Sequence, residues 1–580
     1  MNRMILAISL LALAACSESQ IATASPTTWH VDYAAGSDSA AGTSPATAWK
    51  HAPGDPNATA TPASTRLQPG DTLLLRGGVP YRGAITLSSS GSAAAPITIS
   101  GAGFGAGMGI IDGSEPVLQA AACKSAEDCG GAPDWKLLHR IRFAPPATQR
   151  LVLFGKSGPY WASQTPTPVD PFLNEATSDY AVTTLAMLPD LKSGLLRSPE
   201  LAREAKTGGA LELAFWVRPN FVRRVPVLAV EGDTLRFNPE GILFYEDRDG
   251  RVALNGSFAG LAPAGTFVSL KPGLIIAHLR PEDTQASLGI GSGRFAIEIN
   301  GQSNIVVKGI HFRNLSGSAG VQGEGRAISS TQPRASNIEI KGNLMGPAFL
   351  EESNSGLVRV VHGRNFRIIA NRIENIALGT ALSIGGHDVG DLIIEGNVLR
   401  RIGRSGIYIL SVDGAIIRGN IVAEIRGIHG NAITAYLANR DILIEGNFVV
   451  SSDRPVTFHG NKEPDVENRI TIRNNIFVAS PGGQAAINSW GRGTNTVSIT
   501  GNVVAGARQG MLLNGADRNM VIENNDGGPI VINGTAHESW RMSGNRETLT
   551  LAQAVQGQFS EDACKVPASR LKLSVERAPR

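Results

Sequence analysis

The sequence predicts an all-β chain: a right-handed parallel β-helix of three strands per coil, with an inserted β-rich subdomain. Three observations carry this. First, an Ile-x-Gly-Asn-like unit recurs from about residue 300, with its asparagines at Asn343, Asn371, Asn397, Asn420, Asn447, Asn475, Asn502 and Asn525. The intervals are 28, 26, 23, 27, 28, 27 and 23 residues, and an Ile stands three residues before each Asn, from Ile340 to Ile522. That period lies in the range of solenoids. Second, each unit holds three short alternating runs rich in β-branched residues, such as 391–394, 398–399 and 406–410. Such runs read as strands, not helices. Third, 67 Gly, only 8 Met and 6% aromatic residues in 580 favour many short strands and turns. Ile is expected to stack inside. Asn and Gly are expected to make the tight bends through left-handed backbone, and Asn side chains to form ladders between coils.

Several function classes are disfavoured. The 53 Lys+Arg against 50 Asp+Glu give a formal charge of +3, which supplies no general polyanion-binding tail and does not suggest nucleic acid. The glycine run at 101–107 joins strand signals and opens no helix, so it reads as a turn and not a phosphate loop. No Gly-x-Ser-x-Gly elbow occurs. No Cys-x-x-Cys pair or clustered His/Cys spacing speaks for zinc.

The N-terminus carries Arg3 and then an apolar stretch, 5–15, too short to span a bilayer. Residues 13–16, Leu-Ala-Ala-Cys, resemble the lipobox of bacterial lipoproteins. The resemblance implies a signal peptide over 1–15 and lipidation of Cys16; Ser17 then implies the outer membrane rather than inner-membrane retention. The alternative is an ordinary secretory signal. Residues 16–26 form a polar tether. Export favours a local disulfide between Cys123 and Cys129 and leaves Cys564 without an obvious partner.

Residues 29–38 (Trp-His-Val-Asp-Tyr-Ala-Ala-Gly-Ser-Asp), 42–50, 67–78 and 96–101 resemble the opening of secreted pectate-lyase-like β-helix proteins. The resemblance covers 27–115 as N-terminal cap and first coils, and 295–535 as the main repeats. It implies a carbohydrate-related role, in a superfamily that holds lyases, glycosidases, epimerases and binding proteins. Between these stretches, over 116–294, the period is lost; Trp135, Trp161, Trp216 and alternating runs such as 210–218 mark the inserted subdomain. Residues 536–580 are expected to cap the last coil and end in a charged tail. A capped solenoid of this kind is expected to be monomeric.

Counting back from the turn asparagines, with alternation, places Arg359, Ser383, Tyr408, Thr434, Tyr436, His459, Asn488 and Trp490 on one outer face. Val360, Ile384, Ile409, Ile433, Phe458 and Ile487 point inward. Aromatic rings beside hydrogen-bonding groups suit sugar rings; the alternative is an ordinary solvated face. The same counting puts His362, Asp388 and Asp413 at nearly matching places on successive coils, with His387 and His429 nearby. Carboxylates one coil apart are about 5 Å apart and two coils apart about 10 Å, separations that match retaining and inverting glycosidases. Asp388 and Asp413 are thus a candidate acid and nucleophile pair. They are alternatively Ca²⁺ ligands, the one cofactor considered, or plain Asx turns at coil corners. Glu351 and Glu352 are weaker cleft-edge candidates. Arginines at 359, 364, 367, 372, 400, 401, 404, 418 and 426 favour an acidic glycan, because guanidinium groups bind carboxylates bidentately.

The expected function is therefore a surface-anchored polysaccharide-degrading enzyme. Elimination next to a uronate is favoured: Arg359 neutralises the carboxylate, and His362, Tyr408 or His459 acts as base or acid. Ser383, His387, His429, Tyr436 and Trp490 are the expected substrate contacts. The alternatives are a glycoside hydrolase using Asp388 and Asp413, and a non-catalytic glycan-binding lipoprotein.

Overall fold

The computed structural model describes residues 25–145, 151–173, 176–218, 221–317, 326, 328–332, 335–350, 356–427, 429–460, 468–490, 495–505 and 509–547. The expected signal peptide, Cys16, most of the tether, Glu351, Glu352, Cys564 and the tail from 548 lie outside the described residues. No helix among the described residues is long and apolar enough to cross a membrane.

The chain is all-β and winds into a parallel solenoid of about 15 turns. One coil shows the plan. Residues 380–385 belong to sheet I and 389–395 to sheet II, both within the single bent strand Thr380–Glu395; strand Val398–Ile402 belongs to sheet III. Each strand pairs in parallel with its counterpart in the next coil, so residues one period apart become neighbours. In sheet II the isoleucines at 340, 368, 394, 417, 444, 472, 499 and 522 stand in register. All eight are 0% exposed. Burying one such side chain is worth about 1.5–3 kcal/mol, which is the main driving force for stacking.

The asparagines form a buried ladder at the corner between sheets II and III. Asn397 is typical: its Nδ2 donates to Ile368 O (2.8 Å) and to Asn420 Oδ1 (3.0 Å), and its backbone N–H donates to the same Oδ1 (3.0 Å). The ladder runs on to Asn545, which the repeat count did not include. The left-handed bend, expected at the Asn itself, sits one residue earlier. Gly396 has φ 63°, Gly419 60° and Gly446 61°, and non-glycine Ala370 and Asn474 take the same conformation. The Asn is thereby freed to turn its amide into the coil.

The chain leaves the solenoid after Asp112 and returns at Ile297. Strands Ser114–Pro116 and Gly289–Gly291 pair antiparallel at the stem of the insertion. Across this excursion Ile85 pairs with Ile297 and Ile97 with Ile305, so the coils continue as if uninterrupted. The insertion is built on two antiparallel sheets, one centred on Gly208–Arg218 and Gly250–Ser257, the other on Thr266–Lys271 and Leu274–His278. Cys123 and Cys129 are disulfide-bonded, with Cα atoms 5.8 Å apart.

The insertion docks where sheet III turns into sheet I. Phe172 and Leu173 pack with Phe349, Ala377 and Leu378. Arg401 lies over the Phe172 ring at 4.5 Å. Gly403 and Gly427 allow this approach: a Cβ on Gly403 would meet Phe172 O at 3.1 Å, and one on Gly427 would meet Leu173 O at 2.9 Å. The insertion thus walls the side of sheet I on which its strands begin.

Candidate functional site

The outer face of sheet I is assembled by strand register. Glu298, Ser329, Arg359, Ser383, Tyr408, Thr434, Thr457 and Asn488 lie opposite one another on successive coils. Two residues further along the strands a second row holds Leu410, Tyr436, His459 and Trp490. Alternation puts both rows outside, while Val360, Ile384, Ile409, Ile433, Phe458 and Ile487 lie in the core.

The rings of the face form a continuous run. Tyr408 and Tyr436 stack with centroids 6.2 Å apart, Tyr436 meets His459 edge-on at 4.6 Å, and His459 stacks on Trp490 at 6.4 Å. Trp490 is 38% exposed. Four arginines surround the run. Arg359 Nη1 donates to Ser383 Oγ (2.7 Å). Arg454 Nη1 donates to His429 Nδ1 (3.4 Å), and its guanidinium lies 5.5 Å from the Trp490 ring centroid. Arg404 bears electrostatically on Tyr408 and His429, and Arg326 on Arg359.

This crowding of cations sets the protonation states. Burial, then Arg454, Arg404 and His459, pulls the His429 pKa down to about 3. Burial and Arg454 pull His459 down to about 4. Both imidazoles are therefore neutral at pH 7 and able to accept a proton. Burial raises the Tyr408 phenol to about 12, so it stays protonated and able to donate. Burial is also the largest cause of the lowered pKa of Arg326, Arg359 and Arg454. Thr434 Oγ1, Asn488 Oδ1 and Arg454 Nε are buried without a hydrogen-bond partner. Such atoms are uncommon in a finished core and are the groups a polar ligand or water would satisfy.

The neutral imidazoles give a prediction. In the unfolded chain these histidines bind protons below about pH 6.5. In the fold they do so only toward 4 (His459) and 3 (His429). The unfolded state therefore binds more protons in that window, and stability falls as pH drops from about 6.5 to about 3. The double variant His429→Gln, His459→Gln should flatten this part of a denaturant-midpoint versus pH curve; an unchanged slope would refute it.

The other expected site residues lie elsewhere. Asp388 and Asp413 are exposed at the corner between sheets I and II. They are also out of step: Asp413 lies opposite Gly390, because four residues separate Gly385 from Val389 where only two separate Leu410 from Val412. Arg364 faces this acidic corner, 3.1 Å from Asp388 and 3.6 Å from Asp391, with Asp413 acting on it as well. A guanidinium thus supplies the positive charge where Ca²⁺ was considered. Among the described residues no three His, Cys, Asp or Glu converge to hold a metal. His362 is half-buried just after strand Gly356–Val360, its carbonyl accepting from Ser330 Oγ (3.2 Å). His387 lies in Thr380–Glu395, with its side chain outside the described set.

The dense arginines divide in two. Arg367, Arg372, Arg400, Arg401 and Arg418 are ion-paired to Glu339, Glu374, Glu424, Asp170 and Glu395, away from the aromatic run. Arg359 and Arg404 belong to the face. Sequence reading missed Glu298, Arg326 and Arg454. Glu298 and Arg326 precede the first turn Asn, so no period reaches them. Arg454 sits 21 residues before Asn475 in a coil lengthened around 461–467, which breaks the count.

Residues 355–526 match a family model described as a right handed beta helix region. The fold is a right-handed parallel β-helix. No curated protein matches. Among solved structures, one named a glycoside hydrolase superposes with a TM-score of 0.53 at 12% identity, covering 92% of this chain and 99% of its own. A complex of XylC with xylose gives a TM-score of 0.41 at 12% identity, covering 87% and 70%. A GH136 lacto-N-biosidase from Eubacterium ramulus gives 0.34 at 10% identity, covering 90% and 68%. At these identities the likeness is one of fold.

Proposed function

We propose that the protein is a carbohydrate-active enzyme that cleaves an acidic polysaccharide by β-elimination on the outer face of sheet I. The observation that carries this reading is the side-chain set: guanidinium groups, two neutral imidazoles and a protonated phenol beside stacked rings. Elimination needs this combination. The proton next to a uronate carboxylate is weakly acidic, and a cation must neutralise the carboxylate while charge develops. Arg359 takes that role. His459 removes the C5 proton, the electron pair forms the C4=C5 double bond, the C4–O4 bond breaks, and Tyr408 returns a proton to O4. Tyr436 and Trp490 offer faces for the flanking sugar rings.

The test is to incubate the protein with acidic and neutral polysaccharides and follow ultraviolet absorbance together with reducing ends. New absorbance with reducing ends on acidic glycans alone is expected. Reducing ends without absorbance would replace elimination by hydrolysis, and binding without either signal would leave a glycan-binding protein.

We further propose that the chain is exported and anchored by lipid on Cys16, on the strength of the Leu-Ala-Ala-Cys tetrapeptide. Labelled palmitate should enter the wild type in bacterial cells and not Cys16→Ser; equal labelling would refute it.

A further inference from the structure

Charge on this face is spaced along the solenoid axis, and the spacing bears on what kind of acidic chain fits. Arg359 lies in strand Gly356–Val360, Arg404 immediately precedes Ser405–Arg418, and Arg454 opens Arg454–His459. One coil intervenes in each gap, carrying Thr380–Glu395 in the first and Asn431–Tyr436 in the second. Coils rise about 4.8 Å, so the three arginines recur about every 10 Å along the axis. The intervening coils present neutral groups to the face, Ser383 in one, Thr434 and Tyr436 in the other. Arg326, one coil before Arg359, is answered by the Glu298 carboxylate. The rings of Tyr408, Tyr436, His459 and Trp490, by contrast, advance one coil at a time. A pyranose unit in an extended glycan advances by about one coil height.

We infer that the substrate is a glycan with one carboxylate per disaccharide, acidic and neutral sugars alternating, lying extended along the solenoid axis across the arginines at 359, 404 and 454. The inference rests on the acidic-glycan reading above and narrows it. A chain charged on every sugar would bring half its carboxylates over coils that offer no cation, each desolvated without compensation. A neutral chain would leave the guanidinium groups unanswered. The unpartnered Arg454 Nε at one end of the series is an independent sign that this cation is shaped for a ligand.

The experiment uses the full-length protein and two size series: even-numbered hyaluronan oligosaccharides, with one carboxylate per disaccharide, and oligogalacturonates, charged on every sugar. Binding is read by calorimetry and turnover by absorbance. Hyaluronan affinity should rise about tenfold from di- to tetrasaccharide and again to hexasaccharide, then level off, since each step engages one more guanidinium. Arg454→Gln should remove one step, and Arg359→Lys, which keeps charge but loses the planar fork, should weaken one. Arg404 is buried, so the wild-type size dependence provides the reading that needs no variant. Equal affinity and turnover for the two series, or no size steps, would overturn the spacing while leaving elimination intact. Stepwise hyaluronan binding with no unsaturated product from any acidic glycan would overturn elimination and keep the spacing.

Discussion

Replacing Arg359 with Ala should lower kcat/KM on an acidic glycan by about 10²–10³, the usual cost of losing one group that stabilises developing negative charge. The fall should appear in kcat as well as KM, because the enolate charge exists only along the reaction path. Stability should hold or rise. The guanidinium is half-buried, its one hydrogen bond to a protein atom that we can name is with Ser383 Oγ, and Arg326 stands close enough to repel it. Removing it gives up about 1 kcal/mol of hydrogen bonding and relieves a like-charge contact. A cation retained against its own repulsion is what a stability–activity trade-off predicts for a working site. Steady-state kinetics with a thermal melt of the same preparation check this. A variant within threefold of wild type in kcat/KM would remove Arg359 from the chemistry.

Asn397→Ala should cost about 3–4 kcal/mol of stability. Asn397 is 0% exposed and joins five hydrogen bonds: three that it donates, and two that its Oδ1 accepts from Asn371 N (2.9 Å) and Asn371 Nδ2 (3.0 Å). Ala leaves the Ile368 carbonyl and the Asn371 amide groups short of partners in a dry corner, and each unmet buried group costs about 1–3 kcal/mol. Asn397→Asp should be no milder, since the carboxylate cannot donate to Ile368 O or Asn420 Oδ1 and would be a buried charge. Asn545→Ala, where the described ladder ends and the side chain is exposed to solvent, should cost about 1 kcal/mol. In a solenoid a weak coil interrupts nearest-neighbour coupling in the middle of the stack, so the central variant should also broaden the denaturant transition. A midpoint for Asn397→Ala within 1 kcal/mol of wild type would show that the ladder is not what holds this corner.

The residues that were legible in advance share a property. Ile394 and Asn397 recur at fixed offsets, so counting finds them. Tyr408, Tyr436 and Trp490 sit at constant distance from the next turn Asn, so their face follows from the count and from alternation. Asp388 shows where counting stops. The chain between Gly385 and Val389 is two residues longer than its neighbour, and that bulge moves Asp388 out of step with Asp413 toward Arg364. Arg454 was hidden for a related reason, being placed by a coil of unusual length. The close approach of Phe172 to Gly403 could not be read at all, because the two are 231 residues apart and no repeat links them.

The order of residues alone settles the coil, its apolar stack, its asparagine corner and the outward position of the rings, because each follows from local alternation repeated at a nearly constant period. The three-dimensional structure decides which arginines meet those rings, which carboxylates are taken up in ion pairs, and how far the histidines are pushed toward neutrality. Those outcomes depend on coil excursions of unequal length and on an insertion folding back across the chain, and charge–charge interactions fall off with distance in space, not along the sequence.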